Sequence, residues 1–221
     1  MAVGFQVYNR KKEKGSCMIY LSVYRLRDDI ELPTYGTTLA NCFDLSFQPT
    51  SNVVTGYDSF NSPIERQVNS FGEISIYPGD RLLIPTGLIF KIDHRKTIET
   101  YADISRPELP LQNHSIRLHS RSGLSLKKGL ILANCEGIVD VDYQEEVFVL
   151  LTNVSKMHAT IRKGDRIAQG EIACNEPFHI AVCNTRPEKH SERAGGFGST
   201  GVSSETPPME DWKVDGPTNF G

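Results

Sequence analysis

The sequence lacks cysteine pairs at metal-binding spacing, long apolar runs and any marked excess of charge. The sequence has five cysteines, which is an odd number, and no CxxC pair. This argues against a disulfide framework or a zinc site and favours a reducing environment. No apolar run is long enough to span a bilayer, and the N-terminus lacks the basic-then-apolar order of a signal peptide. We therefore expect a soluble, cytoplasmic protein.

The charge and the composition bound the class of protein further. A formal charge of −3 over 221 residues gives no bulk attraction to nucleic acids or to membranes, so we expect neither as a partner. With 38% hydrophobic residues, the chain is long enough for one medium-sized domain with a real core, flanked by tails.

Short β-rich runs separated by Gly, Pro, Asn and Asp dominate the chain. Residues 73–77, for example, alternate, with Ile74 and Ile76 on one face. This pattern favours an all-β sandwich, jelly roll or barrel. The other predicted strands are residues 82–84, 88–92, 130–133, 136–141, 146–151, the surroundings of Ile161, Ile167 and Ile172, and residues 179–182. A single short helix is predicted over residues 122–128, ending at Gly129.

Three stretches are predicted to lie outside regular structure. Residues 49–69 are rich in Ser, Asn, Pro and Gly, and residues 93–114 are polar and contain prolines. Residues 202–221 are polar and show no periodicity, so disorder is expected there.

Three segments carry residues suited to phosphate chemistry. Residues 137–143 read Gly-Ile-Val-Asp-Val-Asp-Tyr, with Asp140 and Asp142 two apart on a predicted strand and therefore on one face, after a hairpin turn from Asn134 to Gly137. Arg121-Ser122-Gly123 opens the predicted helix, where free backbone N–H groups and a guanidinium favour anions. Residues 195–201 form a glycine-rich stretch with two hydroxyls and one phenylalanine, able to wrap phosphates and stack on a base.

Five segments in order resemble the motifs of the trimeric dUTP diphosphatase (dUTPase) family. Asn-Cys-Phe-Asp-Leu at 41–45 is similar to motif one, and Ser-Arg-Ser-Gly-Leu at 120–124 to motif two. Residues 137–143 supply motif three, and Gly-Asp-Arg-Ile-Ala-Gln at 164–169 motif four. Arg-Ala-Gly-Gly-Phe-Gly-Ser-Thr-Gly at 193–201 resembles motif five. The resemblance runs from about residue 26 to residue 201.

The resemblance implies a fold, an organisation and a reaction. The fold would be the family's jelly roll or distorted β-barrel with one short helix. The organisation would be an N-terminal extension at 1–17, a β domain at 18–185 with inserted loops near 49–72 and 93–114, a glycine-rich arm at 186–201 and a disordered tail at 202–221. The reaction would be Mg²⁺-dependent hydrolysis of dUTP to dUMP and pyrophosphate, which keeps uracil out of DNA and supplies dUMP for dTMP synthesis.

The resemblance also implies residue roles. Asp140 would be the general base that orients a water for in-line attack on the α-phosphorus, and Asp44 would hold Mg²⁺ through water. Tyr143 would lie under the deoxyribose and exclude a 2′-hydroxyl. The phosphate contacts would come from Arg121, Ser122, Gly123, Gln169, Arg193, Gly198, Ser199 and Thr200. Uracil would be read by Asn134, Gly137, Ile138 and Val139, with Phe197 stacked on the base.

The resemblance finally implies a homotrimer with three shared active sites, in which the arm of one subunit closes over a neighbour's site. Four differences from the family pattern stand out: Asn41-Cys42, Ser120, Glu145 and the position of Arg193, one residue nearer to the glycine pair than is usual. The gap between motifs one and two is longer by roughly forty residues, which we assign to the two inserted loops.

Three competing interpretations remain. A dCTP deaminase shares the fold but would not need the arm with Phe197, and dCTP turnover with ammonia release would reveal it. A dUTPase-like protein that binds a regulatory partner through its inserted loops would be revealed by a pull-down with and without residues 93–114. A purely structural jelly roll would not need Asp140, Tyr143 and Phe197 together.

Overall fold

The computed structural model describes residues 20–93, 114–176, 178–186 and 188. It divides the chain into two units, residues 1–177 and residues 178–221, and all regular structure described below belongs to the first. The predicted extension at 1–17, most of the loop at 93–114, motif five and the tail lie outside the described residues.

The described part of the first unit is built from fourteen strands and one short helix. The elements, in chain order, are β1 (Tyr20–Arg25), β2 (Thr34–Tyr35), β3 (Phe43–Ser46), β4 (Val53–Tyr57), β5 (Pro63–Gln67), β6 (Glu73–Ile76), β7 (Arg81–Pro85), β8 (Leu88–Asp93), β9 (His114–His119), α1 (Ser122–Lys128), β10 (Leu130–Leu132), β11 (Glu136–Asp140), β12 (Phe148–Asn153), β13 (Ala159–Arg162) and β14 (Arg166–Cys174). The predicted all-β class is confirmed, and the described residues contain the one short helix that the sequence predicts. Within the described ranges, no helix has the length and apolar character needed to cross a membrane.

Two five-stranded sheets and two strand pairs share one apolar core. The first sheet has the order β10-β12-β7-β4-β5 and the second the order β11-β9-β14-β3-β2, while β1 pairs with β8 and β13 with β6. All of these pairings are antiparallel. Alternate residues of the strands face inward, so Leu45, Ile84, Ile116, Leu151 and Ile167 meet in the same buried cluster.

The helix α1 ends where the sequence predicts. Gly129 has φ +64°, and its N–H donates to the carbonyl of Ser125. A Cβ at this position would approach the Cβ of Ser155 to 2.7 Å. Glycine is therefore required both for the left-handed cap and for the close approach of the next segment.

Three predictions about local structure are wrong. Residues 49–69 contain the hairpin of β4 and β5, although we interpreted them as loop. Residues 179–182 form no strand, although we predicted one there. Strand β11 ends at Asp140, and Asp142 lies in the following turn, so the two carboxylates do not share a strand face.

The turn that precedes β11 also differs from the prediction. We expected the segment from Asn134 to Gly137 to close a hairpin. Strand β10 instead pairs with β12 in the first sheet, whereas β11 pairs with β9 in the second. The turn therefore carries the chain from one sheet to the other, and Cys135 adopts φ +61° within it.

Candidate active site

The first cluster of predicted site residues surrounds Asp44. One carboxylate oxygen accepts a hydrogen bond from Arg121 Nε at 2.9 Å, and the other accepts one from Arg166 Nη1 at 3.0 Å. Arg121 also donates through Nη1 to the carbonyl oxygen of Arg166 at 3.1 Å. The Asp44 side chain is only 11% exposed, and the Arg121 side chain that it holds is 24% exposed, so this ion pair is partly desolvated.

Gln169 and the start of α1 lie beside this cluster. Gln169 is the register partner of Asp44 on β3 and of His119 on β9, and its Nε2 donates to the carbonyl of Ser120 at 3.4 Å. Ser122 and Gly123 form the exposed first turn of α1, directly after Arg121. We call Asp44, Arg121, Ser122, Gly123, Arg166 and Gln169 the Asp44 cluster.

Gly123 has no structural reason to be glycine. A Cβ built on it meets nothing within 4 Å, and its φ is not in the left-handed region. Glycine inside a helix costs about 1 kcal/mol relative to alanine. A glycine that the fold does not require, beside two fixed guanidinium groups, fits a surface that a ligand must approach closely.

The second cluster lies at the end of β11. Asp140 is exposed, its carbonyl accepts the backbone N–H of Tyr143 at 3.1 Å, and the Tyr143 hydroxyl donates to the carbonyl of Glu146 at 2.9 Å. The Tyr143 ring is 41% exposed. We call Asn134, Gly137, Ile138, Val139, Asp140 and Tyr143 the Asp140 cluster.

Gly137 in this cluster has a packing role. It is buried, and a Cβ at this position would lie 3.0 Å from the Cβ of Leu118 on the paired strand. Ile138 is 56% exposed and Val139 is buried, so β11 alternates as a half-buried strand should. Asn134 is exposed in the turn, and its carbonyl accepts the N–H of Glu136.

The two clusters lie far apart on one chain. One row of paired residues crosses the second sheet, from Asp44 through Gln169 and His119 to Glu136. Asp140 lies four residues beyond Glu136 on β11. Four residues of strand rise and three strand spacings separate the Cα atoms of Asp44 and Asp140 by roughly 19 Å. The two carboxylates therefore lie on well-separated parts of the second sheet.

Several charged side chains lie between the clusters on the same outward face. Arg117 Nη1 donates to Glu136 at 2.8 Å, and the His119 ring contacts Glu136 at 3.8 Å and Glu171 at 3.3 Å. Burial, followed by the carboxylates of Glu171 and Asp44, raises the pKa of the Cys42 thiol. Cys42 is therefore a neutral thiol at the edge of the Asp44 cluster.

Two residues were missed by the sequence analysis. Arg166 lies within the fourth motif, so the signal was present, but only the structure shows that its guanidinium shares Asp44 with Arg121. Glu146 was interpreted only as a strand residue, and its contacts to distant segments could not be read from its neighbours.

Two surface cavities occur elsewhere in the described structure. One, of about 420 Å³, is lined by Arg27, Thr50, Asn69, Phe71 and Lys163 among others, and a second, of about 850 Å³, lies over β4, β5 and β7. Neither is lined by a predicted site residue.

Comparison with known proteins decides the family. The family model for dUTPase matches residues 74–201, more than half of the chain. This chain belongs to the dUTPase family. The deoxyuridine 5'-triphosphate nucleotidohydrolase of Heliobacterium modesticaldum is 31% identical over 191 residues, which cover 84% of this chain and 98% of that protein. The protein of that name from Rhizobium leguminosarum bv. trifolii is 38% identical over 135 residues, covering 61% and 74% of the two chains.

Solved dUTPase structures share the fold. A mutant of the Staphylococcus bacteriophage 80alpha dUTPase with dUpNHpp has a TM-score of 0.54 at 18% identity, covering 83% of this chain and 99% of that one. The dUTPase from phage phi11 of S. aureus has a TM-score of 0.51 at 16% identity, covering 76% and 97%. The predicted jelly-roll-like β fold of the dUTPases is thereby confirmed.

Proposed function

We propose that this chain hydrolyses dUTP to dUMP and pyrophosphate. The observation that carries the proposal is the dUTPase match over residues 74–201, which includes Arg121, Asp140, Tyr143 and Gln169. Family membership, rather than any targeting signal, also supports a cytoplasmic location.

The Asp44 cluster is suited to the triphosphate. Arg121 offers a planar fork of donors, and its Nε bond to Asp44 fixes the direction of that fork before any ligand arrives. Ser122 adds a hydroxyl and Gly123 leaves room for a phosphate oxygen, while Gln169 adds an amide. This arrangement binds and orients the anion without a conformational cost at the moment of reaction.

The Asp140 cluster is suited to the attack and to the choice of nucleoside. Asp140 takes a proton from a water, whose oxygen attacks the α-phosphorus, and pyrophosphate leaves as the α–β bridging bond breaks. The ring of Tyr143 lies under the deoxyribose and leaves no space for a 2′-hydroxyl. The turn from Asn134 to Gly137, with Ile138 and Val139, reads uracil through its backbone.

The residues present fit a magnesium ion that the substrate carries. The described residues contain no group of three His, Cys, Asp or Glu side chains able to hold a metal ion. Mg²⁺ in triphosphate sites commonly keeps several waters and needs only one or two protein carboxylates. Asp44 is the acid of the Asp44 cluster, so it is the group that would hold the ion, through water. Bound there, Mg²⁺ would neutralise phosphate charge.

The separation of the clusters supports shared sites. Because roughly 19 Å lies between Asp44 and Asp140 on one chain, a complete site takes the Asp44 cluster from one copy and the Asp140 cluster from another. We propose a homotrimer with three such sites, each closed by an arm that carries Arg193, Phe197, Gly198, Ser199 and Thr200, which lie outside the described residues.

The reaction is tested by pyrophosphate release from dUTP, dCTP, dTTP and UTP with Mg²⁺, for the native chain and Asp140→Asn. We expect release from dUTP alone, and its loss in the variant without a change in Tm, because the Asp140 side chain is exposed. Release of ammonia from dCTP would identify a deaminase instead. No release from dUTP by folded protein would refute the proposal.

Shared sites are tested by co-expressing two inactive variants. Asp140→Asn keeps a native Asp44 cluster, and Arg121→Ala keeps a native Asp140 cluster. Random mixing in equal amounts gives about a quarter of the sites both native clusters, so about a quarter of native activity should return. Activity that stays at the level of the separate variants would show that each site belongs to one chain.

A further inference from the structure

Glu146 follows the Asp140 cluster and is fixed by two distant segments. Its Oε1 accepts the backbone N–H of Gly87 at 2.7 Å, and its Oε2 accepts the hydroxyl of Thr50 at 3.3 Å. Gly87 lies in a closely packed turn, because it has φ +69° and a Cβ there would lie 2.3 Å from Ile30 Cδ1. Glu146 is thus a half-buried carboxylate that is hydrogen-bonded to the backbone of a closely packed turn.

The same residue holds Tyr143 through its backbone. The Tyr143 hydroxyl donates to the Glu146 carbonyl at 2.9 Å, while the Tyr143 N–H donates to the Asp140 carbonyl at 3.1 Å. Tyr143 is therefore held both at its hydroxyl and at its backbone N–H. Residues 142–145 are exposed, so the fixed point that orients the Tyr143 ring is Glu146.

The neighbour of Glu146 strengthens this fixed point. Val147 is 2% exposed, its N–H donates to the carbonyl of Leu88 at 2.9 Å, and its carbonyl accepts the Thr86 hydroxyl at 2.6 Å. Hydrogen bonds from residues 86–88 therefore hold the chain on either side of the Glu146 carbonyl, which accepts the Tyr143 hydroxyl. The turn between β7 and β8 serves as the support of the Asp140 cluster.

We propose that Glu146 is a positioning residue that sets the discrimination between deoxyribose and ribose, by fixing the Tyr143 ring through its own carbonyl. The inference rests on the proposed function of Tyr143 as the surface under the sugar. A ring with freedom to move would admit a 2′-hydroxyl, because steric exclusion requires that the excluding group cannot yield. Glu146 touches no substrate in this account and acts only through Tyr143.

The adjacent carboxylate provides a matched control. Glu145 is exposed and, within the described chain, has no recorded hydrogen bond or ion pair, so Glu145→Ala removes a carboxylate one residue away without loosening Tyr143. Glu146→Ala removes both side-chain bonds. Glu146→Gln keeps an oxygen for the Gly87 N–H and serves as the conservative variant should the alanine variant fold poorly. Tyr143→Phe removes the hydroxyl bond but keeps the ring.

Two measurements separate this inference from the proposed reaction. Hydrogen exchange of peptides covering residues 86–88 and 140–147 reports the support itself and needs no activity. The ratio of kcat/KM for dUTP to that for UTP reports the discrimination. We expect Glu146→Ala to speed exchange in both peptides and to lower the dUTP to UTP ratio about tenfold. Tyr143→Phe should lower this ratio by less, and Glu146→Gln should keep most of the native ratio. Glu145→Ala should change neither the exchange nor the ratio.

Each result decides a separate statement. Unchanged exchange in Glu146→Ala would overturn the positioning role, whether or not dUTP is hydrolysed. Faster exchange and a lower Tm with an unchanged dUTP to UTP ratio would show a purely structural role and overturn the inference. Failure of the native chain to hydrolyse dUTP would refute the proposed function and with it the sugar discrimination, while the exchange data would still decide the positioning.

Discussion

Replacing Asp44 by alanine removes the one carboxylate shared by Arg121 and Arg166. The 11% exposed carboxylate accepts Arg121 Nε at 2.9 Å and Arg166 Nη1 at 3.0 Å, and the two arginines contact each other at 3.1 Å. Without Asp44, two neighbouring cations would face each other, and the Arg121 fork would lose the bond that sets its direction.

The expected size of the effect follows from the exposure of each partner. The Arg121 side chain is 24% exposed, and a hydrogen bond to a charged group there contributes about 1.5–3 kcal/mol. Arg166 is 52% exposed, so its bond adds only about 0.5 kcal/mol. A loss of about 2–3.5 kcal/mol lowers the Tm of a chain of this size by roughly 4–14 °C. The kcat/KM for dUTP should fall about 10- to 100-fold, mostly through KM, because the proposed roles of Asp44 are to fix Arg121 for the ground-state triphosphate and to hold Mg²⁺.

Asp29 is the matched control for this experiment. Its carboxylate also bridges two cations, Arg27 at 3.0 Å and Lys163 at 2.6 Å, but it is 52% exposed and lies outside both clusters. The Arg27 hydrogen bond, followed by that from Lys163, holds the pKa of Asp29 well below its usual range, yet solvent screens both ion pairs. Differential scanning calorimetry and dUTP kinetics should show little change for Asp29→Ala. Equal effects of the two variants, or an Asp44→Ala enzyme with native KM, would refute the reasoning.

Two further predictions concern Gly123 and Glu146. Gly123→Ala should keep or raise the Tm, because the new Cβ meets open space and alanine favours a helix by about 1 kcal/mol. The same variant should raise the KM for dUTP. A lower Tm or a native KM would contradict this prediction. Burial raises the pKa of Glu146, so protonation of its carboxylate stabilises the folded state. This stabilisation is complete below the ordinary glutamate pKa and is lost as the pH rises through the folded-state pKa. Urea unfolding between about pH 4 and about pH 7 should show that Glu146→Gln gains stability relative to the native chain as the pH rises, and a constant difference would count against a raised pKa.

Local signals in the sequence were sufficient for much of the fold. Strand β6 followed from the alternation around Ile74 and Ile76, because a strand with one face in the core needs period-two hydrophobicity. The end of α1 followed from Gly129, because the left-handed cap favours glycine over any residue with a Cβ. The order of the family motifs also followed from the sequence, since a motif is a local string.

Residues 49–69 misled because their composition is that of a loop. Strand β5 is the last strand of its sheet, and Pro63 and Gln67 are exposed, so few core positions mark it. Its inward Arg66 donates two hydrogen bonds of 2.9 and 3.0 Å to Asp80, a carboxylate that is 2% exposed, and Asp80 raises the pKa of Arg66. That partner is fourteen residues away, so no local rule could reveal it.

The sequence by itself determined the β class, the helix α1, the dUTPase motifs and the residue types that the chemistry needs. Only the tertiary structure decided which of them meet. Strand register places Asp44 beside Gln169, with Arg121 in contact, and it places Asp140 roughly 19 Å away, so the same pairing holds the Asp44 and Asp140 clusters apart. It also joins Glu146 to Gly87 and Thr50. These distances depend on the pairing of strands that are remote in the chain. The free energy of the whole core selects that pairing, and no short segment of the sequence encodes it.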